Sequence, residues 1–168
     1  MNEFSGTLSR DVASRDGSSG RASSAPEDPD EITAGALAGL TVLLVEDDAV
    51  SREALELILQ YYGAHVVSVP SVREALDCFD HSTPTIVVSD IGLPFQDGFS
   101  LLRSIRARER QGESRIPAIA ISGFPSGETA DRARRAGFDA FLRKPINIRR
   151  LLHLVSSLAL HDDAAPPL

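Results

Sequence analysis

At 168 residues with 42% apolar content, the chain has the length of one domain with tails and enough apolar material for a core. Its 24 acidic against 17 basic side chains leave a formal net charge of −7, which argues against a non-specific binder of nucleic acid. One cysteine, Cys78, excludes a disulfide framework or a multi-cysteine zinc site, and no apolar run approaches the roughly 18–20 residues that cross a bilayer. No basic stretch leads into an apolar one near the start, so no secretory signal is expected and the reading begins from a soluble cytoplasmic protein.

Residues 1–30 hold seven serines, three glycines and two prolines without an apolar period. Such a composition cannot offset the entropy of ordering, so residues 1–39 are expected to be a disordered tail and a small-residue linker. Thr41–Val45 is short, apolar and β-branched, as in a strand buried on both faces. A helix is predicted over Ala49–Tyr62, with Val50, Ala54, Leu57, Ile58 and Tyr61 as its apolar stripe, stopping at Gly63. Ala64–Val69 reads as a second strand, and Ser71 with Glu74 as the capping box of a helix that buries Leu76 and Phe79.

A third strand is predicted at Thr85–Ser89, then a loop with Pro94, then a helix from Asp97-Gly98 through Leu101, Leu102 and Ile105. Ile116–Ile121 reads as the fourth strand and Ser126–Ala136 as an alanine- and arginine-rich helix closed by Gly137. Ala140–Arg143 is a short fifth strand, and Asn147 caps a last helix that presents Ile148, Leu151, Leu152, Val155 and Leu158. A second tail is expected over 161–168, leaving residues 40–160 as the domain. Five strand–helix units with short connections predict a doubly wound α/β fold, a parallel sheet covered on both faces.

In such sheets ligands bind outside the carboxyl ends of the strands. The first strand is followed by Glu46, Asp47 and Asp48; the third runs into Asp90; the fourth ends at Ser122-Gly123 and the fifth at Lys144-Pro145. Taken singly these are ordinary: Asp48 suits a helix cap, Glu46 and Asp47 solvated loop acids, Ser122 a turn, Lys144 a surface charge. Converging on one edge, the acids repel one another and call for a cation. Few hard oxygen ligands with room for water and phosphate describe Mg²⁺ (or Mn²⁺) better than zinc or a calcium cage. Lys144 is also the chain's single lysine, every other basic residue being arginine. A compact ammonium can follow a phosphoryl group where a planar guanidinium imposes its fork.

The run VLLVEDD, VVSDIGLPFQDG, AIAISG and GFDAFLRKP, in this order across residues 40–160, resembles the receiver domain of two-component response regulators and hybrid histidine kinases. The resemblance implies the flavodoxin-like strand order 2-1-3-4-5. It places the phosphoacceptor on Asp90, the acid pair for the metal on Glu46 and Asp47, and a metal-binding backbone carbonyl on Gly92. It puts the hydroxyl on Ser122, the lysine on Lys144 and the switch aromatic on Phe141, with a cis peptide before Pro145. Gly92 and Phe124 occupy positions that in this family bear on the lifetime of the phosphoryl group. The cluster Arg132, Arg134 and Arg135 reads as a solvated face on the helix that helps form the family's output surface.

The function implied is a phosphorylation-controlled switch or phosphorelay intermediate without an attached output domain. It would accept a phosphoryl group from a histidine kinase or histidine phosphotransfer protein, and catalyse nothing beyond its own phosphorylation and dephosphorylation. It would signal to a downstream protein, or dimerise, through the fourth helix, fifth strand and fifth helix, with neither nucleic acid nor membrane as a direct partner. A metal-dependent phosphatase of haloacid-dehalogenase type would want a D-x-D pair, but Asp90 is followed by Ile91 and Gly92. A flavodoxin-like cofactor binder would want a hydroxyl-rich phosphate loop where the three acids stand.

Overall fold

Each apolar run is separated from the next by a helix that returns the chain to the same end of the sheet, which makes the strands parallel. The computed structural model describes residues 32–109, 115–123 and 127–160. In chain order the elements are β1 (Thr41–Val45), α1 (Ala49–Tyr61), β2 (His65–Val69), α2 (Val72–Ser82) and β3 (Ile86–Asp90). They continue as α3 (Gly98–Arg108), β4 (Ala118–Ser122), α4 (Gly127–Ala136), β5 (Ala140–Arg143) and α5 (Ile148–Leu160). The strands form one parallel sheet in the order β2-β1-β3-β4-β5. That is the flavodoxin-like doubly wound fold.

Alternation along the strands divides the core. Leu43, Val45 and Val87 face a cluster built with Val72, Ala75 and Phe79 of α2, Leu101, Leu102 and Ile105 of α3, and Ala133 of α4. Val42, Leu44, Ile86 and Val88 face the opposite cluster, with Leu55 and Leu59 of α1 and Leu151, Leu152 and Val155 of α5.

The expected apolar stripe of the first helix is corrected. Leu55 and Leu59 are buried and Ile58 and Tyr62 pack beside them, whereas Val50, Leu57 and Tyr61 are 76%, 66% and 73% exposed. The sequence carries two sets at helical spacing, 50/54/57/61 and 55/58/59/62, and the second turns its two leucines onto the sheet. Periodicity alone does not rank two such faces. The linker adds to the core as well, through turns: Leu37 is fully buried, and its amide donates to the Tyr62 carbonyl at 2.9 Å. Residues 1–31 and 161–168, read as tails, lie outside the described residues, as does Ser126, the expected start of the fourth helix.

Strands β3 and β4 each run one residue further than expected, so that Asp90 and Ser122 are their last members. The ladder therefore holds both backbones, with Asp90 opposite Ile121 and the Ile91 amide donating to Ile121 at 2.9 Å. Gly98, the first residue of α3, makes this placement sterically exacting. A Cβ there would stand 2.6 Å from the Asp90 carbonyl oxygen and 2.9 Å from Ile91 Cα, both backbone atoms. Replacing glycine by alanine in a helix ordinarily stabilises by about 0.5–1 kcal/mol. Here overpacking reverses the sign, and Gly98→Ala is expected to lower stability by about 1–3 kcal/mol, read as a lower urea midpoint. A midpoint at or above the parent's would show that the contact yields freely.

At the opposite end of the sheet a part-buried ionic lattice joins α3 to the turn before β5. The Arg106 guanidinium donates to the carbonyls of Ile116 at 2.7 Å and Gly137 at 3.1 Å and also pairs with Glu109. Asp139 takes Arg115 at 2.7 Å and the Ala118 amide at 2.8 Å.

Candidate functional site

The β1–α1 loop is held by side chains that bond its backbone. Asp48 Oδ1 accepts from the Ser51 amide at 2.8 Å, making Asp48 the cap of α1 rather than a ligand. The Arg52 guanidinium, one turn into α1, donates to the carbonyls of Glu46 at 2.9 Å and Asp47 at 3.3 Å. Sequence reasoning missed Arg52. The signal available was its place four residues after Asp48, where its side chain can reach back over the loop.

With the loop held, Glu46 is buried at 1% exposure while its neighbour Asp47 is exposed. Asp90 is 6% exposed, and its Oδ1 accepts from the Gly92 amide at 2.6 Å. Glu46, Asp47 and Asp90 each offer an oxygen within 4.8 Å of the others. At that spacing two carboxylates repel by roughly 3–4 kcal/mol at an effective dielectric near 20. The compensating cation is Lys144, whose ammonium donates to Glu46 Oε1 at 3.0 Å and to Asp90 Oδ2.

Burial, with the Asp90 charge adding to it, raises the Glu46 carboxyl above its ordinary range despite the Lys144 ammonium. For Lys144 burial works to lower the affinity for its proton, but the hydrogen bonds to Asp90 and Glu46 prevail and it is raised. The ammonium therefore stays charged through neutral pH. Glu46 Oε2 lies 2.8 Å from the same nitrogen as an ion-pair contact but takes no hydrogen bond. A buried carboxylate oxygen without a hydrogen bond, beside an exposed carboxylate and a third at the strand end, suits a divalent cation that prefers hard oxygens and retains water. The residues fit Mg²⁺.

Ser122 is buried at the end of β4, and its carbonyl accepts from the Lys144 amide at 2.8 Å, which ties the ends of β4 and β5 together. The peptide between Lys144 and Pro145 is cis. Phe141 is half-buried and packs on the α2/α3/α4 side of the sheet. It pairs with Ala120, two residues before Ser122, which places the ring and the hydroxyl-bearing residue on the same face. The structure thus brings Glu46, Asp47, Asp90, Gly92 and Lys144 together, with Ser122 and Phe141 along the neighbouring strand ends. Phe124 lies outside the described residues.

Residues 42–156 match the family model described as the response regulator receiver domain. The chain is 36% identical over 131 residues to an uncharacterised 14.6 kDa protein of Leptolyngbya boryana, covering 78% of this chain and 96% of that one. It is 37% identical over 119 residues to the response regulator protein FleR of Pseudomonas aeruginosa, covering 71% of this chain but 24% of that one. Among solved structures, a response regulator receiver protein from Pseudomonas putida aligns with a TM-score of 0.64 at 33% identity, covering 70% and 96% of the two chains. The receiver domain of the Pseudomonas aeruginosa sensor histidine kinase PA1611, with magnesium coordinated in its active-site cleft, aligns with a TM-score of 0.64 at 28% identity, covering 73% and 98%. Fold, strand-end acids and matched length agree: the chain belongs to the response regulator receiver domain family of two-component signalling.

Proposed function

We propose that this receiver is a phosphorylation-controlled switch, or a relay intermediate, that accepts a phosphoryl group on Asp90 from a histidine kinase or histidine phosphotransfer protein in the cytoplasm. The observation that carries the reading is the Lys144 ammonium bridging Glu46 and Asp90 beside the exposed Asp47.

An Asp90 carboxylate oxygen forms the new bond to phosphorus while the bond from phosphorus to the donor's ring nitrogen breaks. The electron pair leaves with that nitrogen, giving neutral imidazole where the other ring nitrogen carries a proton. Mg²⁺ held by Glu46, Asp47, Asp90 and the Gly92 carbonyl would neutralise phosphoryl charge and the acid cluster. Lys144, already on Asp90, swings from the carboxylate to a phosphoryl oxygen, and the Ser122 hydroxyl donates to another. The exposed apolar residues Val50, Leu57 and Tyr61 on α1, which starts beside Asp47 and Asp48, support a protein surface as the donor.

Of the metal acids, exposed Asp47 is assigned direct ligation and buried Glu46, engaged with Lys144, action through water. Asp47→Ala is therefore expected to weaken Mg²⁺ binding more than Glu46→Ala, whose loss as a partner acting through water is roughly 10–100-fold. Titration with Mg²⁺ or Mn²⁺ checks this, and equal losses would show the roles to be wrongly divided. The function itself is tested by incubating the chain with a phosphotransfer domain labelled on histidine with ³²P-phosphate. Label is expected on the parent and absent from Asp90→Asn. Label on neither chain, or on both, would refute the reading.

A further inference from the structure

Helices α3 and α4 enclose a groove of about 280 Å³ lined by Phe99, Arg103, Arg132, Arg135 and Ala136. All three arginines are exposed. Arg132 lies over the Phe99 ring at 4.6 Å and makes a loose ion pair with Asp97 at 3.9 Å. Arg103 and Arg135 have no acidic partner among the described residues, although acids outnumber bases in the chain. By contrast Arg134, the third member of the α4 cluster, pairs with Asp131 at 2.5 Å and stands outside the groove.

Three guanidinium groups around one concavity repel each other weakly and gain from a shared anion. Guanidinium forks match carboxylates two oxygens at a time. Half-buried Ala136 and the small exposed part of Phe99 beside Arg132 give the groove an apolar share, which favours a ligand with aliphatic side chains over a bare inorganic ion. A long polyanion would also meet the remainder of a chain with net charge −7. We propose that this groove binds a short acidic, leucine-bearing peptide segment of a partner protein, and that its affinity is linked to phosphorylation of Asp90.

The link runs through Arg132. Its partner Asp97 caps α3, accepting from the Ser100 amide at 2.8 Å, and closes the loop that starts at Asp90. Movement of α4 against that loop changes the groove, and by reciprocity an occupied groove changes the response of the site. This second part rests on the proposed function; the groove itself does not.

The test is fluorescence anisotropy of the full chain with a fluorescein-labelled peptide of alternating glutamate and leucine. Saturable, salt-weakened binding is expected, reduced at least about tenfold in Arg103→Glu/Arg135→Glu. Arg73→Glu/Arg150→Glu, the same charge change on exposed arginines outside the groove, should retain the parent affinity. If charge reversal unfolds the helix pair, Arg103→Gln/Arg135→Gln provides the same comparison. No saturable binding, equal losses in the two pairs, or displacement of the peptide by equimolar duplex DNA would overturn the groove assignment. Acetyl phosphate with Mg²⁺ should shift the affinity at least about fivefold in the parent and leave Asp90→Asn unchanged. If intact mass shows the phosphoryl group and the affinity holds, the linkage is wrong. If no phosphoryl group is gained, the proposed function fails while the groove result stands.

Discussion

In Asp90→Asn, incubation with acetyl phosphate and Mg²⁺ is expected to leave the intact mass unchanged, where the parent gains one phosphoryl group. The amide keeps the shape of the side chain but loses the anionic oxygen that attacks phosphorus. The parent should likewise gain nothing when the divalent cation is chelated, because an anionic donor then meets Glu46, Asp47 and Asp90 with a single ammonium to offset them. Lys144→Ala should fall between these extremes. Removing one preorganised charge that stabilises a transferring group costs roughly 10²–10³ in rate, so phosphorylation slows without vanishing. Lys144→Arg should not restore the parent rate, since a planar fork cannot follow the phosphoryl group from a half-buried position. A mass gain that persists in Asp90→Asn, or survives chelation at the parent rate, would contradict the account.

Ser122→Ala is expected to accept the phosphoryl group yet fail to transmit it. A phosphoryl oxygen near the end of β4 would draw the Ser122 hydroxyl toward it as a donor. Phe141, on the same sheet face and only half-buried, can then enter the space left behind. Such a switch needs two packings with different affinities for the phosphoryl group. Moving the population from 1:99 to 99:1 takes roughly 5.5 kcal/mol, within the range of charge-assisted bonds to Lys144 and Ser122 plus burial of one ring. The element expected to yield is α4. Its one fully buried residue is Ala133, so its packing against the sheet is shallow. Amide exchange across α4 and β5 should change on addition of beryllofluoride in the parent, and lose most of that change in Ser122→Ala and in Phe141→Ala. The same exchange change in all three chains would mean that neither residue couples the site to α4.

The sheet was legible because its strands are short, apolar and punctuated: Thr41–Val45 and Ala140–Arg143 are found where the pattern places them. The capping residues Ser71 and Asn147 were equally readable, since each accepts from an amide three residues on. Illegible features depend on tertiary choice. Helix α1 offers two apolar faces, and the sheet selects Leu55 and Leu59. Leu37 looks like linker until the Tyr62 carbonyl and the core receive it. The arginines of 103–110 suit a helix C-terminus by sequence, yet Arg106 turns inward to bind carbonyls ten and 31 residues away.

At the site, strand-end placement brought the acids, Ser122 and Lys144 together on paper, while their roles came from family resemblance. Arg52 and Gly98 escaped notice because they act on backbone atoms: one holds the carbonyls of Glu46 and Asp47, the other leaves room for that of Asp90. Patterns of side-chain chemistry do not show where backbone needs support.

An acyl phosphate differs from a phosphate ester in yielding to borohydride: one hydride adds to the acyl carbon and phosphate leaves to give the aldehyde, and a second hydride with a proton from water turns the aspartate side chain into that of homoserine. Treating the phosphorylated full chain in this way, followed by peptide mapping, locates the acceptor directly. Homoserine is expected at position 90, in proportion to the mass gain and absent when Mg²⁺ is withheld. Homoserine at position 47 or 48, or a mass gain with no homoserine at all, would contradict the account.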